Sequence, residues 1–149
     1  MIAYLDASAL VKRYLAERGS QEVKALIAQA EALGTSLISR AEVSAAVAKA
    51  IRTHALTTSQ AEAAVQLFRT DWPDLARIQL TEMTLARADT LAWEHGLRGY
   101  DAVHLASALL WQEVLGKTIT FATFDRNLWQ AASRTGCLAW PENFETFTW

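Results

Sequence analysis

The sequence predicts an α/β protein of three layers (α/β/α), with a short parallel sheet held between helices. Three observations carry this. Short apolar stretches at Met1 to Leu5, Thr35 to Ile38 and Thr118 to Thr123 are separated by long helical patterns. That alternation is the signature of a parallel sheet covered on both faces. The chain has 149 residues, 52% of them apolar, which is one domain's length with ample material for a core. Gly and Pro number only six and two, while Ala, Leu, Glu, Gln and Arg recur, a composition that favours helix.

The elements follow in order. Met1 to Leu5 reads as a strand buried on both faces. Ser8 to Ala16 is helical, with Leu10, Val11, Tyr14 and Leu15 on its apolar side, and Gly19-Ser20 breaks it. Ser20 caps a second helix predicted to run to about Leu33, with Val23, Leu26, Ile27 and Ala30 at helical spacing and Gly34 as its end. Thr35 to Ile38 is a brief strand. Ser39 to Thr53 is helical, and Thr57 and Gln60 have capping-box spacing at the start of a helix that stops near Trp72-Pro73. Ala76 to Leu80 is either a short strand or an extended link. Thr84 to His95 and Asp101 to Leu115 are helices, the second strongly apolar and ended by Gly116. Thr118 to Thr123 is a third clear strand, rich in β-branched and aromatic residues. Asp125 opens a helix to about Arg134, and Gly136 to Trp140 adds an edge strand before an aromatic tail. Residues 1–149 read as a single domain, without repeat, low-complexity tract or linker.

Four acids stand at the ends of these segments: Asp6, Glu42, Asp101 and Asp125. Sites in open α/β sheets form just beyond the carboxyl ends of the strands. Carboxylates converging there repel one another unless a cation joins them, and hard oxygen ligands suit Mg²⁺ or Mn²⁺. Each acid alone also has a bland reading. Asp6 and Asp125 suit helix N-caps, Ser39 and Glu42 match a Ser-x-x-Glu capping box, and Asp101 near a helix start gains from the helix dipole.

Bulk properties narrow the classes. With 14 basic and 16 acidic residues the formal charge is −2, which lacks the broad basic excess of a simple nucleic-acid coat. Without the four acids the remainder is mildly basic, which permits a polyanionic substrate. No run approaches a membrane span, and Asp6, Lys12 and Arg13 interrupt the apolar amino terminus, so neither a membrane anchor nor a secretory signal is expected. Cys137 is the single cysteine, which excludes an intrachain disulfide and fits the cytoplasm.

The run Tyr4-Leu5-Asp6-Ala7-Ser8-Ala9-Leu10-Val11-Lys12-Arg13-Tyr14 resembles the opening of a PIN domain. Asp101-Ala102-Val103-His104-Leu105-Ala106-Ser107-Ala108 is similar to the family's third acidic motif, and Phe121-Ala122-Thr123-Phe124-Asp125-Arg126-Asn127-Leu128 to its fourth. Glu42 stands where the second acid is expected. The compact length and the Asp-Ala-Ser-Ala-Leu-Val-Lys opening most resemble VapC-type toxins of toxin–antitoxin pairs. The resemblance implies a metal-dependent endoribonuclease that binds Mg²⁺ or Mn²⁺. Asp6 and Asp101 would be its main metal ligands, with Glu42 and Asp125 completing the pocket directly or through water. It also implies an RNA substrate, a cognate antitoxin and a homodimer, with the region of Phe68 and Trp72 as the antitoxin groove and dimer surface.

Further residues are candidates around these acids. Ser8 and Thr123 lie two positions from Asp6 and Asp125 and are placed to orient carboxylates or water, or simply to bond locally at a helix start. Lys12, Arg13 and Arg40 flank the motifs as phosphate contacts or as solvated surface charge. His104 is one helical turn from Asp101, either an RNA contact or a buried structural histidine. Trp93 and Trp111 read as core or interface, Trp129 as a residue to test against RNA, and Trp140 and Trp149 as anchors of the tail. Two other functions stay open. A haloacid-dehalogenase-like phosphatase also places an Asp after its first strand, but has Ser8 where a second Asp is normal. A non-catalytic binding module would use the acids as caps.

Overall fold

The computed structural model describes residues 1–147, and Trp149 lies outside them. Five strands form one parallel sheet: β1 Ile2–Leu5, β2 Ala32–Ser36, β3 Ala76–Ile78, β4 Thr120–Ala122 and β5 Leu138–Trp140. Their spatial order is β3-β2-β1-β4-β5. Ala76–Ile78, open between strand and link, is thus one edge strand of the sheet, and Leu138–Trp140 is the other, as expected. Among the described residues seven α-helices connect and flank them: α1 Ala7–Leu10, α2 Ser20–Gln29, α3 Ser39–Arg52, α4 Thr58–Asp71, α5 Glu82–His95, α6 Gly99–Leu115 and α7 Arg126–Arg134.

β1 divides two cores. Ala3 and Leu5 point into a cluster with Leu10, Val23, Val43 and Phe68, contributed by α1 to α4. Tyr4 points the other way, among Leu105, Phe121, Leu128 and Ala131, contributed by α6, β4 and α7. Successive strand residues face opposite sides, so an unbroken apolar strand is what three layers require.

Three departures from expectation at the ends of elements have their cause in the fold. The helix after Asp6 is a single turn followed by a 3-10 turn at Val11–Arg13, and the chain leaves it where Arg13 and Tyr14 both reach Asp71 on α4, at 2.7 and 3.0 Å. α2 stops at Gln29, because Ala32, Leu33 and Gly34 pair with Ile2, Ala3 and Tyr4. Gly34 is thus no helix terminator but a strand residue, and a Cβ there would overlap the Trp111 ring. The third boundary is the start of α3. Its N-cap is Ile38 and carries no side-chain bond, so the Ser39–Glu42 capping box does not form. Ser39 Oγ instead shares a hydrogen bond with Thr35 Oγ1 at 2.7 Å. By contrast Thr57 and Gln60 do form their capping box at α4.

Candidate functional site

The strand order reverses between β1 and β4, and ligands in open parallel sheets bind at such switch points. Asp6 follows β1 directly, with its N–H donating to Ala122 O at the end of β4. Thr123 and Asp125 continue from β4. Glu42 comes from the first turn of α3 and Asp101 from the first turn of α6. All four acids line one cavity of ≈ 250 Å³, together with Ser8, Arg98, His104 and Phe124.

Asp6 is the most enclosed, at 3% exposure. Ser8 Oγ lies 2.7 and 2.9 Å from its two carboxylate oxygens. The Ala9 N–H donates to Oδ1 at 2.9 Å, and Thr123 Oγ1 donates to Oδ2 at 2.7 Å. Burial pushes its pKa above the ordinary carboxylate value, opposed by neighbouring His104 and by the Ser8, Thr123 and Ala9 donors. The two hydroxyls also brace the opposite strand end. Ser8 Oγ accepts from Phe124 N–H at 2.9 Å and Thr123 Oγ1 from Asp125 N–H at 3.0 Å. Asp125 itself caps α7, accepting from Leu128 N–H at 2.9 Å. Asp6 and Asp125 are therefore caps and cavity walls at once.

Glu42 is held from below. His104, 2% exposed, places Nε2 2.6 Å from Glu42 Oε1 and Nδ1 2.9 Å from the Tyr4 hydroxyl. Burial raises the Tyr4 phenol's pKa well above its usual value, so it is a neutral O–H. The Glu42 carboxylate accepts from Nε2, and Nδ1 shares the second hydrogen bond with the Tyr4 hydroxyl. Both ring nitrogens are then occupied by protein partners. His104 is a structural support for Glu42 and has no nitrogen left for RNA.

Arg98 was not foreseen. Its Nε donates to Asp101 Oδ2 at 2.9 Å and its Nη2 to Asp125 Oδ2 at 3.0 Å. The i,i+3 spacing to Asp101 was a readable signal. The bridge to Asp125 was not.

The flanking cations lie elsewhere. Lys12 is buried, paired with Glu17 at 2.9 Å and packed over the Phe124 ring. Arg13 is bound to Asp71. Neither lines the acidic cavity. Arg40 lies over Trp72 beside Arg69, in a separate hollow of ≈ 410 Å³. Phe68 and Trp72 are largely buried and line the floor of the same hollow. Trp129 donates to Pro141 O at 2.8 Å and packs on Phe144, and Trp140 packs on Phe124 and Phe147. Trp111 covers Gly34, whereas Trp93 is 90% exposed and is no part of the core.

As they stand, no three Asp, Glu, His or Cys side chains among the described residues are close enough to hold one metal ion. The donor chemistry nevertheless fits a hard divalent cation: four carboxylates around one cavity, two of them held by a guanidinium. Mg²⁺ retains several waters, so direct contact from every acid is unnecessary.

The PIN domain family matches residues 3–133, and the chain belongs to that family. Two curated relatives from Mycobacterium tuberculosis are Ribonuclease VapC45 (strain CDC 1551 / Oshkosh) and Ribonuclease VapC49 (strain ATCC 25618 / H37Rv). Each is 38% identical over 144 residues, covering 97% of this chain and 98% of its own length. Among solved structures, FitAcB from Neisseria gonorrhoeae has a TM-score of 0.65 at 18% identity, over 93% of this chain and 96% of its own. A toxin–antitoxin complex from Klebsiella pneumoniae has a TM-score of 0.59 at 23% identity, over 83% and 86%. VapBC2 from Rickettsia felis, bound to a DNA fragment from its promoter, has a TM-score of 0.57 at 17% identity, over 84% and 88%. At those identities the likeness concerns the fold.

Proposed function

We propose that this chain is a Mg²⁺- or Mn²⁺-dependent endoribonuclease acting as the toxin of a toxin–antitoxin pair. The observation that carries the reading is the placement of Asp6, Glu42, Asp101 and Asp125 around one cavity at the sheet's switch point. Membership of the PIN family and the two relatives named ribonucleases support it. A bound divalent cation would polarise the scissile phosphate and supply a hydroxide-like water near neutral pH. Asp6 and Asp101 would be its principal holders, with Glu42 and Asp125 completing the pocket directly or through water. Ser8 and Thr123 fix the Asp6 carboxylate, and the Tyr4–His104 pair fixes Glu42.

Both alternatives fit less well. A phosphatase of the haloacid-dehalogenase type normally carries a second Asp two positions after the first, and here that position is Ser8, whose hydroxyl is bonded to Asp6. A module using its acids only as caps accounts for Asp6 and Asp125 but not for Glu42 and Asp101, since neither of those caps a helix.

The test is cleavage of RNA with Mg²⁺ or Mn²⁺ by wild type, Asp6→Asn and Asp101→Asn. Wild-type cleavage abolished by chelator and by either substitution supports the reading. Equal cleavage by all three proteins sinks it. The cognate antitoxin is proposed on the toxin-type relatives and is sought by co-purification with the product of the adjacent upstream gene. The homodimer is tested by light scattering. No helix among the described residues is long and apolar enough to cross a membrane.

A further inference from the structure

Most cations near the acidic motifs are spoken for outside the cavity. Lys12 is held by Glu17 at 2.9 Å, Arg13 by Asp71 at 2.7 Å and Arg126 by Glu145 at 2.6 Å. Arg98 differs. Both its carboxylate partners, Asp101 and Asp125, are walls of the cavity itself, at 2.9 and 3.0 Å. Yet its side chain remains 77% exposed. It stands at the N-cap of α6 without any side-chain capping bond. The next residue, Gly99, has nothing within 4 Å of where a Cβ would stand.

These facts describe a cation that neutralises the acids but is not locked in place. Exposed ion pairs are weak and yield readily to competition. A divalent ion carries twice the charge of a guanidinium and competes for the same two carboxylates. Once displaced, Arg98 keeps its tether at the cavity rim. A guanidinium freed from carboxylates has the planar fork of donors that suits a phosphate.

We propose that Arg98 is an exchangeable counter-ion: it holds Asp101 and Asp125 until a divalent cation takes them over, then turns to grip a phosphate of the RNA at the cavity mouth. The inference rests on the ribonuclease reading for its RNA half and on geometry alone for its metal half. It makes Arg98 an opponent of metal binding and a helper of cleavage, two effects of opposite sign. A merely structural arginine would weaken both together.

The test uses the full chain with Arg98→Ala and Arg98→Lys, both at an exposed position where folding is verified by melting temperature. Mn²⁺ affinity is measured without RNA by electron paramagnetic resonance, and kcat and KM on RNA at saturating Mn²⁺. Arg98→Ala is expected to bind Mn²⁺ roughly threefold to tenfold more tightly, the range that loss of exposed ion pairs allows. Its kcat/KM should nonetheless fall about tenfold or more, as loss of a phosphate-positioning group implies. Arg98→Lys should lie between wild type and Arg98→Ala in both measurements. Unchanged or weaker Mn²⁺ binding by Arg98→Ala overturns the counter-ion, and undiminished cleavage overturns the phosphate contact. Failure of wild type to cleave any RNA would remove the ribonuclease reading and the phosphate contact with it, while the Mn²⁺ titration still decides the counter-ion.

Discussion

Replacing Thr123 by valine removes one hydroxyl and changes the packed volume very little, yet the two residues are not equivalent in a core. That hydroxyl is fully buried and holds two acids of the site in register. It donates to Asp6 Oδ2 at 2.7 Å and accepts from the Asp125 N–H at 3.0 Å. A hydrogen bond to a charged group contributes about 1.5–3 kcal/mol and one between neutral groups about 0.5–1.5 kcal/mol. The variant should therefore lose about 2–4 kcal/mol of stability, seen by calorimetry in EDTA as a Tm lowered by roughly 5–15 °C. Thr123→Ser keeps the hydroxyl and should lose less than half as much. With Asp6 no longer braced, Mg²⁺ affinity should fall roughly tenfold, as it does when partners of metal ligands are removed. A Tm within about 2 °C of wild type, less than a shift of one kcal/mol, would refute the argument that this hydroxyl holds the pocket together.

Three further outcomes are expected. Burial raises the pKa of Asp6 in the folded state, so folding favours its protonated form. That contribution is fully present below the ordinary value of 3.8 and is lost as pH rises through the raised folded value. In EDTA, Asp6→Asn should therefore gain stability relative to wild type as pH rises from acid to neutral, and a pH-independent difference in Tm would contradict this. Gly34→Ala drives a methyl into the Trp111 ring and should cost about 1–3 kcal/mol in a urea titration. Trp111→Leu in the same chain should recover part of that loss, and no recovery would point to a cause in the strand itself. Cys137 is buried, with its pKa raised by burial to about 11, so iodoacetamide at pH 8 should label it only after denaturation. Rapid labelling of the native protein would contradict its burial.

What the sequence conveyed and what it withheld divide along the range of the interaction. Strand β1, the Thr57–Gln60 capping box and the α6 stop at Gly116 depend on neighbours a few residues away, and the pattern shows them. Gly34 looks like a helix terminator because its true reason is Trp111, which reaches it from α6 on another layer. Glu42 has the spacing of a local cap, but His104, 62 positions later, offers a buried partner at 2.6 Å and takes it. The acids themselves were legible because their motifs lie at strand ends and helix starts. Arg98 was not, because only folding brings residue 125 to it, across 27 positions of chain. The groove expected in the region of Phe68 and Trp72 came from the family resemblance alone, and both side chains are themselves buried.

Anomalous diffraction from crystals soaked in Mn²⁺ tests the central claim most directly. The account predicts the dominant density inside the cavity, against the carboxylates of Asp6 and Asp101, with Arg98 withdrawn from Asp101 and Asp125. Mn²⁺ density confined to other acids on the surface, with the Arg98 bridge intact at saturating metal, would contradict it.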